Sequence, residues 1–388
     1  MKKMRTYGLK DFPENLRILF DKNYRIFLFS KLWDILRSST NIARIINVNS
    51  ASTVRKFKIG KNSRGTDAYI PIWFIKNVSK LLTNKGYKGF LLEEIAKHII
   101  GIKSDSASNP ILRPILPLVE DERLIRIYSH LIGDGFGGGK YKRKYGGNFY
   151  INPAYTNTSE ELIDSFIEDL KVFGKVPYDK RDYGTYWKVI IPFTIKYILE
   201  NIYQCQISAS KGRMPDRFHK LDDKLKLEIL RSFCDDEGTI QDNGIVVSSG
   251  NKIQLEDLKN IMLSLKFEKK YVSKVKKARD NLYILKFRDK NFLTFGEKIK
   301  LFHKEKQKIL NFQIERHKNP SNKKSGKNKS KIIKFLNHQP HTSLQLAMKL
   351  KISQNTTGQI LRQLINTDKV ERCRIPGKNQ IEYKIKVS

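Results

Sequence analysis

The sequence predicts an α+β protein: a central domain of pseudo-twofold repeat, preceded by an all-α helix-turn-helix domain and followed by a winged helix. Three observations predict it. Residues 120–312 run twice through apolar helix, acid-glycine turn, strands, helix, strands and helix (αββαββα), about a hundred residues apart. A stretch broken by Pro110, Pro114 and Pro117 and an acid-free cationic run, residues 316–330, set this repeat apart from its flanks. The chain has 388 residues, 39% of them hydrophobic and 11% aromatic, enough for two or three cores and too apolar for wholesale disorder. The expected boundaries are 1–103, a connector 104–119, the repeat 120–315 (halves 120–215 and 216–315), a linker 316–330 and a last domain 331–388.

Charge narrows the function. Lys and Arg number 75 against 39 Asp and Glu, a net +36, so the expected partner is a polyanion, with nucleic acid foremost. No stretch approaches the roughly 20 apolar residues of a membrane span, and residues 1–20 lack a signal-peptide core. Cys205, Cys234 and Cys373 are scattered and odd in number, which argues against a disulfide framework or a structural zinc site. A reducing, cytoplasmic and nucleoid-associated setting is expected.

In the first segment, Leu32-Trp33-Asp34-Ile35-Leu36 begins an apolar-periodic run, and Thr40-Asn41 offers a cap before Ile42-Ala43-Arg44-Ile45-Ile46. A polar turn then leads to a second helix that exposes Ser52, Arg55 and Lys56, short and cationic side chains suited to a major groove. Tyr69-Ile70-Pro71-Ile72-Trp73-Phe74 opens another helix toward Leu82. A plain helical bundle with solvated cations fits the same pattern; the charge excess favours DNA contact.

In the first half of the repeat, a helix over 124–132 feeds Gly133-Asp134-Gly135. A strand over 148–151, an amphipathic helix over 162–173 and a strand over 186–191 follow. Between them Lys140-Tyr141-Lys142-Arg143-Lys144-Tyr145 interleaves cations with aromatics, as phosphate and base contacts require. In the second half a helix over 225–234 feeds Asp236-Glu237-Gly238, then a strand over 244–248, a helix over 255–265 and strands over 271–275 and 283–287.

The last segment carries helices over 332–336, from Thr342 onward, and over 353–364 with Ser353 as cap. Strands over 370–374 and 381–387 flank Pro376-Gly377-Lys378-Asn379. On the third helix Gln354, Asn355, Thr356, Gln359 and Arg362 are the expected reading residues, with Lys378 at the wing tip. A protein-binding module of the same shape is the alternative.

The chemistry lies in the two acid-glycine endings. Ile127-Tyr128-Ser129-His130-Leu131-Ile132-Gly133-Asp134-Gly135 aligns with Leu230-Arg231-Ser232-Phe233-Cys234-Asp235-Asp236-Glu237-Gly238: serine third, carboxylate eighth, glycine ninth. The glycine is expected to take the left-handed helix-terminating conformation, leaving each acid at the foot of its helix. If the helices pack side by side, Asp134 and Glu237 emerge together, and a divalent cation relieves their repulsion. Oxygen ligands alone favour Mg²⁺, Mn²⁺ or Ca²⁺ over zinc.

Over about residues 121–312 the chain resembles a two-motif LAGLIDADG, or DOD-type, homing endonuclease. Tyr155-Thr156-Asn157-Thr158-Ser159-Glu160-Glu161-Leu162 resembles its strand-to-helix junction. Ser210-Lys211-Gly212-Arg213-Met214-Pro215-Asp216 and His303-Lys304-Glu305-Lys306-Gln307-Lys308-Ile309-Leu310 resemble its lysine-bearing late segments. The resemblance implies a saddle of strands in the major groove and a site-specific double-strand DNA endonuclease acting as a monomer. Asp134 and Glu237 would hold Mg²⁺ or Mn²⁺, Lys211 and Lys306 would orient water or stabilise charge, and each half would cut one strand. The chain lacks the terminal nucleophile and His-Asn pair of an intein, so a free-standing endonuclease of a mobile intron is expected. It departs from the family at the seventh motif position, normally small: Gly133 in one motif, Asp236 in the other. A charge there must be buried, paired or turned outward. A catalytically inactive DNA-binding regulator of the same fold, or an RNA intron maturase, remains open.

Overall fold

The computed structural model describes all residues except 1–3, 63, 105–108, 143–147, 209–211, 319–324, 375–380 and 387–388. The chain divides into two compact units: Met1–Glu237 with Ser249–Ile261, and Gly238–Ser248 with Met262–Ser388.

In the first unit the N-terminal region is not all helix, contrary to the sequence expectation. Antiparallel strands Ile70–Pro71, Arg17–Phe20, Ile99–Lys103 and Ile111–Leu112 form one sheet in that order. These strands are two to five residues long. Such short apolar runs look like pieces of buried helix, because periodicity cannot separate the two at that length. The expected connector also pairs: Leu118–Val119 lies antiparallel to Thr6–Tyr7. The helices follow their caps. Asp21 accepts from the Tyr24 amide to start Lys22–Leu36, Ser38 from Asn41 to start Ser39–Ile46, and Ser50 from Thr53 to start Ala51–Ile59. Asn47, at φ 64°, ends the middle helix in the left-handed conformation that asparagine tolerates. The last two helices pack on each other across that turn.

The first half of the repeat begins with helix Glu122–Ile132, capped by Asp121. Its sheet, in spatial order, comprises Gly135–Phe136, Ala154–Asn157, Trp187–Ile190 and Asp179–Asp182, with helix Glu160–Asp169 between the pairs and Phe193–Tyr203 at the end. The strand expected over 148–151 exists but pairs with Gly139–Lys142 in a separate hairpin. The sheet strand in its place is Ala154–Asn157, which leads through Ser159 into helix Glu160–Asp169, so Tyr155–Leu162 is a strand-to-helix junction as expected.

In the second unit the strands run Gly238–Gln241, Gly244–Ser249, Leu282–Arg288 and Lys276–Arg279 in spatial order, so the strand expected over 271–275 starts at Lys276. Counted from the motif helix, both sheets have the order first, second, fourth, third. The sequence repeat is therefore a repeat of topology. Helices Lys290–Lys298 and Lys304–Lys318 close this half. Helices Ser325–His338, Ser343–Leu350 and Gln354–Asn366 follow, with a sheet of His341–Thr342, Ile381–Ile385 and Val370–Arg374. Ile332, Leu336, Leu346, Ile360, Leu361, Leu364 and Val370 give these elements a core of their own.

Candidate functional site

The two motif helices, Glu122–Ile132 and Asp223–Glu237, pack against each other. The third-position serines behave alike: Ser129 donates to the Ile125 carbonyl at 2.8 Å and Ser232 to that of Glu228 at 3.0 Å. Each small hydroxyl is satisfied within its own helix, and neither obstructs the neighbour. Arg126 forks onto Asp169 at 2.8 and 2.6 Å and reaches across to Glu228 at 3.0 Å. Gln254 donates to the carbonyl of Ile132 at 2.8 Å, satisfying an orphan acceptor at the helix end.

The two ninth-position glycines do not act by handedness, which corrects the sequence expectation, and Gly135 acts by space. Neither Gly135 nor Gly238 takes a positive φ. A Cβ on Gly135 would stand 2.2 Å from the Leu131 carbonyl oxygen, so only glycine lets the chain double back there. A Cβ on Gly133 would stand 3.2 Å from Asp236 Oδ2. The seventh residues of the two motifs thus meet.

Asp236 is the buried and paired case. Its side chain is 0% exposed, and Oδ2 accepts from His130 Nδ1 at 2.8 Å. Oδ1 accepts from the Tyr155 hydroxyl at 2.6 Å and from Asn157 Nδ2 at 3.4 Å. Burial works to strip the proton from His130. Asp236, with Asp235 and Asp169 behind it, outweighs burial and lifts the histidine above its ordinary 6.5. Burial first, then Asp236, pushes the Tyr155 hydroxyl far above the usual phenol range and keeps it a donor.

Asp134 is half-buried just past its helix. Its Oδ2 accepts from the same Asn157 Nδ2 at 3.2 Å, and its carbonyl accepts from Thr156 Oγ1 at 3.0 Å. Asn157 therefore ties Asp134 to Asp236, whose chain neighbour Glu237 is the half-buried last residue of the second motif helix. The sequence offered a signal for this network: an ionisable His130 inside an apolar motif helix, opposite one acid too many. For Asn157 it offered none.

Other expected residues are scattered. Ser52, Arg55 and Lys56 are exposed on Ala51–Ile59. Gln359 and Arg362 are exposed on Gln354–Asn366, but Gln354 and Thr356 are half-buried and engaged internally. Gln354 donates to Ser343 Oγ at 3.2 Å, and Thr356 Oγ1 lies 2.6 Å from Ser353 Oγ. A groove contact by either side chain would have to replace or share these bonds. Lys306 is half-buried on Lys304–Lys318, in the second unit. Lys211, Arg143, Lys144 and Lys378 lie outside the described residues, as do the side chains of Lys140 and Lys142.

Among the described residues, no group of three or more His, Cys, Asp or Glu side chains could hold a metal unaided. The donor set expected from the sequence is two carboxylates, Asp134 and Glu237. That suits the cations that keep several waters and take phosphate oxygens as further ligands. No helix among the described residues is long and apolar enough to cross a membrane.

No family model and no curated protein matches the sequence. Among solved structures, the chain is similar to mesophilic variants of the homing endonuclease I-DmoI (17% identity, TM-score 0.35, covering 46% of this chain and 94% of that one). It is similar to the homing endonuclease I-WcaI bound to its DNA recognition sequence (13% identity, TM-score 0.30, covering 46% and 80%). It is also similar to full-length DUF199/WhiA from Thermatoga maritima (12% identity, TM-score 0.34, covering 64% and 92%).

Proposed function

We propose that the chain is a divalent-metal-dependent endonuclease of duplex DNA, acting as a monomer whose two motif turns form one site. The observation that carries this reading is Asn157, whose single amide nitrogen reaches Asp134 of one motif and Asp236 of the other. It draws together two chain segments about a hundred residues apart in sequence, each bearing the acid that the LAGLIDADG resemblance singles out.

In this reading Asp134 and Glu237 hold Mg²⁺ or Mn²⁺, which supplies charge neutralisation at phosphorus and lowers the pKa of attacking water. The chain's own residues do the rest. Asn157 orients the Asp134 carboxylate, and the hydrogen bonds from His130 and Tyr155 keep Asp236 from turning toward the site as a third anion. Lys211 and Lys306 stabilise charge on the phosphate, and Ser52, Arg55, Lys56, Lys140, Lys142, Arg143, Lys144, Gln359, Arg362 and Lys378 grip the duplex. The net charge of +36 supports a phosphate backbone as the partner.

Incubation with a randomised duplex library and Mg²⁺ or Mn²⁺, followed by sequencing of broken ends, tests the proposal. The expected result is a defined cleaved site. Asp134→Asn or Glu237→Gln should lower the rate by more than about a hundredfold, beyond the loss of a supporting partner, with binding retained. Tight, metal-indifferent binding with no cleavage would overturn the proposal and leave a DNA-binding regulator.

A further inference from the structure

The third helix of the C-terminal segment, Gln354–Asn366, does not end in open solvent. Asp242, in the turn between strands Gly238–Gln241 and Gly244–Ser249, caps it from outside. Oδ1 of Asp242 accepts from the Gln354 amide at 2.9 Å, and Oδ2 accepts from the Asn355 amide at 3.0 Å. The aspartate is held in turn. Gln313 Nε2 donates to Oδ1 at 3.3 Å, and Arg316 reaches the Asp242 carbonyl at 2.5 Å. Its side chain is 12% exposed. All these residues belong to the second compact unit.

The helix does not need this cap to form. Ser353 already accepts from the Thr356 amide at 2.8 Å, the ordinary N-cap bond. Asp242 takes the next two orphan amides, adding a full negative charge at the positive end of the helix dipole. The amides of Gln354 and Asn355, at the end of the helix expected to lead into a groove, are therefore bonded to the turn that carries Asp242, while Asn355 itself stays exposed. Helix N-termini accept carboxylates and phosphates alike, so Asp242 occupies a place that a DNA phosphate could otherwise take.

We propose that Asp242 is an autoinhibitory latch: it holds the leading end of the reading helix against the second-half hairpin, and DNA must displace it before that helix can enter a groove. The inference does not depend on cleavage; it rests on the part of the proposed function in which the chain binds duplex DNA through helix Gln354–Asn366.

The test uses the full chain and a fluorescein-labelled duplex of mixed sequence. A latch closed nine-tenths of the time lowers apparent affinity about tenfold. Asp242→Ala should therefore tighten binding about five- to tenfold and speed hydrogen exchange at the Gln354 and Asn355 amides. Asp280→Asn serves as control, because it removes one acid from a side chain 99% exposed on the same unit. It should change affinity by less than about twofold. Unchanged exchange in Asp242→Ala would mean that the contact does not exist in solution. Faster exchange with equal or weaker DNA binding would make it a fixed scaffold. Either result overturns the latch, as does an equal gain in Asp280→Asn, which would reduce the effect to net charge. If no variant and no parent binds the duplex, the latch and the DNA reading fall together. If the parent binds without cutting, only the nuclease reading fails.

Discussion

At the residue scale, the acids proposed for the site are marked in the sequence, whereas Asn157, which bonds to one of them, is not. Asp134 and Glu237 stand out because each follows an apolar helix and precedes a glycine. Asn157 carries no such mark: its partners come from two distant segments, and only the fold brings them to one amide. Asn157→Ala should weaken Mn²⁺ affinity about 10- to 100-fold while leaving the urea midpoint within a few tenths molar, measured by Mn²⁺ titration and unfolding on the same preparation. A fall in stability with metal affinity unchanged would make Asn157 a packing residue. His130 gives a second prediction. Its folded pKa lies above its unfolded value near 6.5, so the folded state binds the extra proton. The resulting stability is fully present below about pH 6.5 and is lost as pH rises through the raised folded value. Urea midpoints from pH 5 to 9 should therefore carry a declining step that disappears in His130→Gln.

At the element scale, caps and periodicity located the two motif helices and the helix after Ser353, because each signal is local. They left Phe193–Tyr203 unplaced and put the cap before Ile42 at Thr40-Asn41 instead of Ser38. Ser159 before Glu160–Asp169 and Ser353 before Gln354–Asn366 accept the amides their positions call for. The short strands escaped for the opposite reason. Arg17–Phe20 and Ala154–Asn157 are four residues each, and what makes them strands is the partner across the sheet. The motif glycines show the same limit: their need for space arises from Leu131 and Asp236, not from their own backbone angles. Gly135→Ala should force the chain off the Leu131 carbonyl at a cost of about 1–3 kcal/mol, visible as a lower thermal midpoint. An unshifted midpoint would show that the turn has room to spare.

For the whole molecule, composition alone indicated the partner class. Seventy-five cations against 39 acids are far more than folding requires, and many lie on exposed faces such as Arg55 and Lys56. If six to ten phosphates are contacted, affinity for duplex DNA should fall about 10³- to 10⁵-fold between 50 and 200 mM salt, with a straight line in log–log form. Fluorescence anisotropy across that range checks it, and a flat line would remove the polyanion reading. Prolines and charge runs suggested boundaries at 104–119 and 316–330, whereas the compact units divide at Glu237 and again around 249–261. That Asp242 fastens one segment to another carried no sequence signal, since a lone turn aspartate has nothing in its neighbourhood to mark it.

The seam between the motif helices has a consequence for ancestry and redesign. One side offers a histidine and a glycine, the other an aspartate, and each fits only its opposite. A symmetric dimer built from the first half would lack the carboxylate its histidine requires, while one built from the second would set two buried aspartates face to face. Whatever duplication produced this chain, its halves have since become lock and key, and neither can now stand in for the other.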